Sequence, residues 1–599
     1  DAGFVADIED IMSEAGAPTE VMDQVWQRYL DTLPDLNIRK KFKHRKGREG
    51  YHADALKAFS SHMFHAAHQM GRMKFSMDMI DTLEQAKHEA QKDKKQTRSQ
   101  MLVNEIERRN QYVMNPVGAA WAQRLTGAAF VWYLGLSPAS ALVNVSQTVI
   151  IGAPVLGAAY GKNGVTIALA EIAKASKDFT MGKGHIANAN VSADERAAMN
   201  HAYEIGLIDK TQGHDLAGVG ENGVEYSALR NRAMGYVSSM FHQAERFNRE
   251  VTFLAAYRMA KRKGMTGDTA HEWAGNLTWK SHFDYTNTNR PSFMHGDVAK
   301  VLLVFRNYQV NMLFRLFRDL HQATAGETKE LRQEALKQFG AITGMMALNT
   351  GIKGVWLTGI AKVIASLFFG DDDPEEELTK GMYKYLPATL ASIALNGVVG
   401  TAFGIDVTNR IGMPDLWFRS PDKELEGKEE YAFYLAQVAG AIPAIGQSWL
   451  QGYKMAKDGN VERGIETAAP VFMRNAMKAA RYAMEGATTM NGDPIIQTDY
   501  KDVIRQALGF TPMKVTERYE TNNAAMNKQT RIADEKSALV NRWVKAKIAK
   551  DADALAEVKA EIKQFTANNR DTPIKMQTLM NALRGTKRVH KETQGGLRL

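Results

Sequence analysis

Leu125 to Gly161 is a stretch of 37 residues without a single charged side chain. No other feature constrains the fold as strongly, because so long an uncharged run has to be covered by protein or by lipid. It is rich in Gly, Ala and Ser and is broken by Pro138 and Pro154, a pattern that suits a helical hairpin with close helix contacts. Asn144, Ser146, Gln147 and Thr148 make it only weakly hydrophobic, so a membrane helix and the core of a large soluble protein both stand as readings. Two further runs are uncharged: Tyr385–Ile405, of 21 residues, and Tyr431–Tyr453, of 23. In the last, Tyr431 and Tyr434 at one end and Trp449 and Tyr453 at the other flank an apolar centre, as aromatic belts do at a membrane interface. With Trp121, Trp132 and Tyr385 they form the candidate membrane-active or subunit-interface set. A mean hydropathy of −0.35 for the chain is low for a conventional integral membrane protein, and the three runs are expected to be buried in helix–helix or subunit contacts.

The expected fold class is all-α: an elongated multi-helix assembly with Gly/Ala-rich apolar helical hairpins and a basic helical C-terminal tail. Only 15 of the 599 residues are proline, and 30 are methionine, which favours helices nearly throughout. The chain is expected to divide into an N-terminal helical region (1–115), an apolar helical hairpin (116–165), a central helical region (166–330), a second apolar region (331–455) and a C-terminal helical region (456–599). Within these, Tyr51–Arg109 reads as one or two long helices, 298–320 as a helix and Leu229–Lys263 as another. Ser192 and Glu195 have the spacing of a capping box, and Thr572-Pro573 is expected to break the tail. Asp1 in first place suggests a processed product or part of a longer protein.

The net charge of +9 is concentrated in two places. Arg39, Lys40, Lys41, Lys43, Arg45, Lys46 and Arg48 fall within ten residues, and Arg531–Leu599 carries 15 Lys/Arg against 8 Asp/Glu. Both segments are expected to contact phosphate, on DNA or anionic lipid, without reading sequence. Trp543 and Phe565, the tail's main aromatics, lie at a spacing better suited to packing than to stacking on bases.

No constellation for catalysis emerges, and no enzyme activity, cofactor or metal is expected. The absence of cysteine excludes disulfides, zinc-thiolate sites, iron–sulfur clusters and thiol nucleophiles. His62, His65 and His68 make a helical stripe better read as an interface than as a metal site, for want of a carboxylate at ligand spacing. The acidic cluster Asp371, Asp372, Asp373 and Glu375 lacks the glycine and distal glutamate of a calcium loop. His282 and Asp284 share a polar loop, where a hydrogen-bonded turn is the default reading.

Four segments carry a resemblance: LVNVSQT (142–148), SHFDYTNTNRPSFMHGDVAKVLLVFRNYQVNMLFRLFRD (281–319), IGMPDLWFRSPDKELEG (411–427) and APVFMRNAMKAARYAMEGATTMNGDPI (469–495). In this order they resemble the C-terminal portion of the large polyvalent, PLxRFG-type proteins of phages and prophages, over roughly 120–500. The PLxRFG signature is itself absent, as is any transglycosylase or polymerase domain. In short-tailed phages such chains are internal virion, or ejection, proteins. The resemblance implies packaging in the capsid core near the portal, a homo-oligomer, contacts with other internal virion proteins and the portal, and non-specific contact with genomic DNA. It further implies passage through the host periplasm to the inner membrane, as part of a conduit for the genome. Two other readings stand beside it: a purely structural capsid-core scaffold, and an accessory part of a larger virion enzyme.

Overall fold

The computed structural model describes residues 55–93, 96–114, 120–208, 228–283, 291–355, 374–411, 440–489 and 492–594. Of these, 82% are helical. The chain is all-α, and the strands among the described residues are β1 (Ala487–Thr488) and β2 (Pro494–Ile496), an antiparallel pair. The helices are α1 (Ala55–Lys92), α2 (Gln96–Met114), α3 (Ala120–Tyr133), α4 (Pro138–Gln147), α5 (Ala153–Tyr160), α6 (Gly164–Met181), α7 (Ala193–Glu204), α8 (Ala228–Arg262) and α9 (Gly267–His282). They continue as α10 (Asp297–Leu302), α11 (Asn307–Ala325), α12 (Lys329–Thr350), α13 (Pro374–Tyr385), α14 (Ala388–Phe403), α15 (Thr408–Ile411), α16 (Ala441–Lys457), α17 (Val461–Ala468) and α18 (Val471–Met484). Beyond the strands come α19 (Tyr500–Ala507), α20 (Met513–Ala549), α21 (Ala552–Asn568) and α22 (Met576–Gln594).

Two compact units arise: one from 1–345 with 438–478, the other from 346–437 with 479–599. The first is built around α8. Val251, Phe253, Leu254, Ala255, Ala256, Tyr257, Met259 and Ala260 are all buried, so this stretch of α8 is covered on every side, as a central helix must be. Helices α4, α6, α7 and α9 pack around it. Helix α7 starts with the expected capping box: Ser192 Oγ accepts from the Glu195 N–H at 3.3 Å, and Glu195 Oε2 accepts from the Ser192 N–H at 2.9 Å. That satisfies two of the N–H groups a helix leaves open at its start.

Small residues set the closest approaches. A Cβ added at Gly164 would lie 2.0 Å from the Gly157 carbonyl oxygen, and one at Gly452 would lie 2.5 Å from that of Gly464. Only glycine lets the hairpins α5–α6 and α16–α17 close to backbone contact.

In the second unit, Tyr482, Ala487 and Val515 form a small core with Ile495, Ile496 and Val503. The C-terminal helices α20, α21 and α22 gather a separate core from Leu539, Val540, Trp543, Val544, Val558, Ile562, Phe565, Ile574, Leu579 and Leu583. The basic tail is thus a folded helical bundle, and the break at Thr572-Pro573 is the link between α21 and α22.

One expected helix is divided. The segment 298–320 forms α10 and α11, because Phe305 takes a left-handed conformation (φ 68°). Phe305 packs edge-on to Tyr133, with ring centroids 5.9 Å apart. Burial of that ring offsets the roughly 1–2 kcal/mol a non-glycine residue pays for a positive φ.

Candidate functional site

The first uncharged run divides into α3 and a second helical segment, Pro138–Tyr160, joined by a tight turn. Leu136 is left-handed in this turn (φ 51°), and Ser137 caps α4, accepting from the Ser140 N–H at 3.3 Å. Pro138 at the first helical position lacks an N–H that would have no partner there. Between α4 and α5 the helix widens into a single π turn, Thr148–Gly152. Pro154 accounts for it: it offers no N–H to the Ile150 carbonyl and its ring would clash there, so a wider turn carries the helix through.

Among the described residues, Pro138–Tyr160 is the one helix long and apolar enough to cross a membrane by length and composition, a test that core helices also pass. Its most apolar stretch is 61% buried inside the protein. Three of its polar residues meet neighbouring helices. Thr148 Oγ1 donates to Asn248 Oδ1 at 2.7 Å, Asn248 Nδ2 donates to the Asn144 carbonyl at 2.9 Å, and Gln147 Nε2 donates to the Ser281 carbonyl at 3.3 Å. Asn144, Gln147 and Thr148, three of the residues that weaken the hydrophobicity of this run, fix its position against α8 and α9.

Helix α8 supplies the other half of this buried polar layer. Arg249 donates to the Leu207 and Phe283 carbonyls at 2.9 and 3.1 Å and lies over the Trp279 ring. Glu250, wholly buried, accepts from the Ile186 N–H at 2.6 Å and from the Tyr203 hydroxyl. The signal of this layer in the sequence is Glu245, Asn248, Arg249 and Thr252 recurring at helical spacing along one helix.

His282 belongs to the same layer. It is buried, with Nε2 2.6 Å from Thr252 Oγ1. Burial, reinforced by the neighbouring guanidinium groups of Arg249 and Arg315, holds its pKa at about 3. A histidine kept neutral and enclosed in this way anchors the turn after α9. Asp284, its companion in the sequence, lies outside the described residues.

The predicted interface aromatics converge at a different place. On α3, Trp121, Leu125, Ala128 and Trp132 recur at i, i+4, i+7 and i+11, one face of a helix. Trp121 and Leu125 are 47% and 40% exposed, and Trp132, 9% exposed, meets Trp449 of α16 edge-on at 5.8 Å. From Trp449 the face continues along α16 through Leu450 and Tyr453, which with Trp449 are 56–69% exposed, to Lys454 and Lys457. Beneath it, Ala129 and Phe130 pack with Phe241 and Val304 and with Ala441, Ile442 and Ile445, and Tyr133 donates its hydroxyl to the Ala441 carbonyl at 2.9 Å. Trp132 and Trp449, proposed from separate parts of the sequence, therefore meet on a fixed base, with Trp121 on the same face of α3 and Tyr453 one turn further along α16.

The other candidates do not join it. Tyr385 is exposed at the end of α13, in the second unit. Tyr431, Tyr434 and the basic arm Arg39–Arg48 lie outside the described residues, as do Asp371–Asp373 and the side chains of His62, His65 and His68. Among the described residues of the three uncharged runs, the first run is largely buried, whereas Leu390, Val398 and Phe403 in the second are exposed, like the end of the third. Comparison with protein-family models, with curated proteins and with solved structures gives no match.

Proposed function

We propose that this chain is an internal virion (ejection) protein of a short-tailed bacteriophage, packaged near the portal and later part of a conduit for the genome across the host envelope. The observation that carries the reading is the exposed aromatic face of α3 and α16. It combines two tryptophans, a tyrosine and leucines with lysines at one end, the composition of a surface that lies in the headgroup region of a bilayer. Lysine stems lie along apolar surface while their ammonium groups stay in water. In the capsid the same face would be covered by further copies of the chain, by other internal virion proteins or by the portal. The ordered phage-like segments of the sequence support the same reading.

The reading of a capsid-core scaffold draws on a different observation, the burial of most of Pro138–Tyr160 inside the protein. Dye release from phosphatidylethanolamine–phosphatidylglycerol vesicles separates the two. A delivery protein releases dye at micromolar concentration, and a scaffold leaves the vesicles intact. The companion measurement is its presence in filled virions and its loss from emptied ones; retention after genome release would contradict the delivery role.

A further inference from the structure

Helix α20 runs from one core to another. Val515, near its start, packs with Tyr482 and Ala487, whereas Leu539, Val540, Trp543 and Val544 belong to the C-terminal bundle. Between Val515 and Leu539 no described side chain is buried, over about 36 Å of helix. The contacts that hold α20 in place cluster on either side of Thr521–Arg531. Before it, Glu520 accepts from Lys353 Nζ at 2.9 Å, Glu517 accepts from Asn396 Nδ2 at 3.3 Å, and Tyr519 donates its hydroxyl to the Thr488 carbonyl at 3.3 Å. After it, Ile532 packs on the bundle core and Lys536 reaches the Pro573 carbonyl at 3.3 Å.

The stretch between, TNNAAMNKQTR, is poor material for an exposed helix. A helix that is polar all round depends on acid–base pairs one turn apart, and this stretch contains Lys528 and Arg531 but no acidic residue. Five of its eleven residues are Asn or Thr. Asparagine competes with the helix for its own backbone groups, and threonine loses side-chain freedom against the preceding turn. Thr521 Oγ1 donates to the Glu517 carbonyl at 2.8 Å, and Thr530 Oγ1 to the Met526 carbonyl at 3.1 Å. Such bonds to the carbonyl one turn back slightly weaken a helix and often bend it.

We propose that Thr521–Arg531 is a helical joint, which opens locally and lets the C-terminal bundle turn against the small core of Tyr482, Ala487 and Val515. Helix on both sides keeps the stretch folded between openings, since re-forming it needs no new nucleus. Opening it uncovers no buried side chain among those described, so it costs far less than unfolding either core. The joint does not depend on the aromatic face of α3 and α16, and its readout is separate from dye release.

The test uses the full chain and a variant with T521A, N522A, N523A and T530A, which raises helix propensity in the stretch alone. Amide hydrogen exchange in the wild type should be at least about a hundredfold faster over 521–531 than over 539–546 or over α19. The variant should slow exchange in the stretch at least about fivefold and leave both flanks unchanged. Because the chain has no cysteine, spin labels at Lys501→Cys on α19 and Lys559→Cys on α21, both exposed, report the movement directly. Their distance distribution should be broad in the wild-type background and narrow in the alanine variant. Exchange over 521–531 as slow as in the two cores would overturn the proposal. So would a single narrow distance already present without the alanine substitutions.

Discussion

Pro138–Tyr160 and α16 come from sequence runs that look alike, uncharged and interrupted by glycine and proline, yet the protein treats them in opposite ways. The first is enclosed, with Ile150, Ile151, Val155 and Leu156 all buried. The second keeps Trp449, Leu450 and Tyr453 in solvent. The difference lies in side-chain size and in polar partners. Small residues allow Pro138–Tyr160 to approach α6 and α8 closely, and Asn144, Gln147 and Thr148 are bonded to α8 and α9. Helix α16 packs Gly452 against α17 and leaves its large aromatics exposed. Absence of charge marks both segments as needing cover; the distribution of bulk decides which one receives it within the chain.

The contrast can be broken most forcefully with one substitution in each segment. Leu156→Ala should destabilise the first unit by roughly 2–5 kcal/mol, the cost of a cavity at a fully buried leucine. Leu450→Ala, of the same chemistry on the exposed face, should change stability by less than about 0.5 kcal/mol. Thermal and urea unfolding of the two variants measures the gap, and similar losses would show that α16 is also enclosed.

The buried polar layer around the first segment should respond to acid. With His282 held at about 3 when folded, below its ordinary value, the unfolded chain takes up its proton first as pH falls. The stability that depends on neutral His282 is complete above about pH 6.5 and is lost progressively between there and about pH 3, by up to about 1.4 kcal/mol per pH unit. Unfolding measured from pH 7 to pH 4 should show this slope in the wild type and a shallower one in His282→Gln. Identical slopes would mean that the imidazole is hydrated.

A smaller effect is expected at the π turn. Thr148→Val keeps the shape but removes the donor to Asn248 Oδ1, leaving a buried acceptor unpaired at a cost of roughly 1–3 kcal/mol. The variant should unfold at lower urea concentration with an unchanged m-value.

The sequence was most informative where one local rule decides the outcome. The capping box at Ser192 and Glu195, the long helix at 228–262 and the break at Thr572-Pro573 depend on neighbours a few residues apart, and all are present. The packing role expected for Trp543 and Phe565 follows from helical spacing in the same way, and both are core residues. Long-range packing was not legible. Phe305 ends one helix because Tyr133, far away in the chain, receives its ring. Asn248 and Thr148 meet across 100 residues, so neither signals its role alone. Of the candidate site, the aromatic residue types were legible, whereas the joining of Trp132 to Trp449 needed the fold.

The central claim is that the joined face of α3 and α16 is a lipid-contacting surface, and vesicle flotation tests it most directly. The wild-type chain and the triple variant Trp121→Ala, Trp449→Ala, Tyr453→Ala are floated with phosphatidylethanolamine–phosphatidylglycerol vesicles at physiological salt. All three side chains are exposed, so the variant should fold, with a stability loss near the roughly 0.5–1.5 kcal/mol of the Trp132–Trp449 contact. The account predicts that the wild type floats with the vesicles and that the variant partitions at least tenfold more weakly, a difference of about 1.4 kcal/mol. Equal flotation of the two chains, or a wild type that stays at the bottom of the gradient, would contradict it.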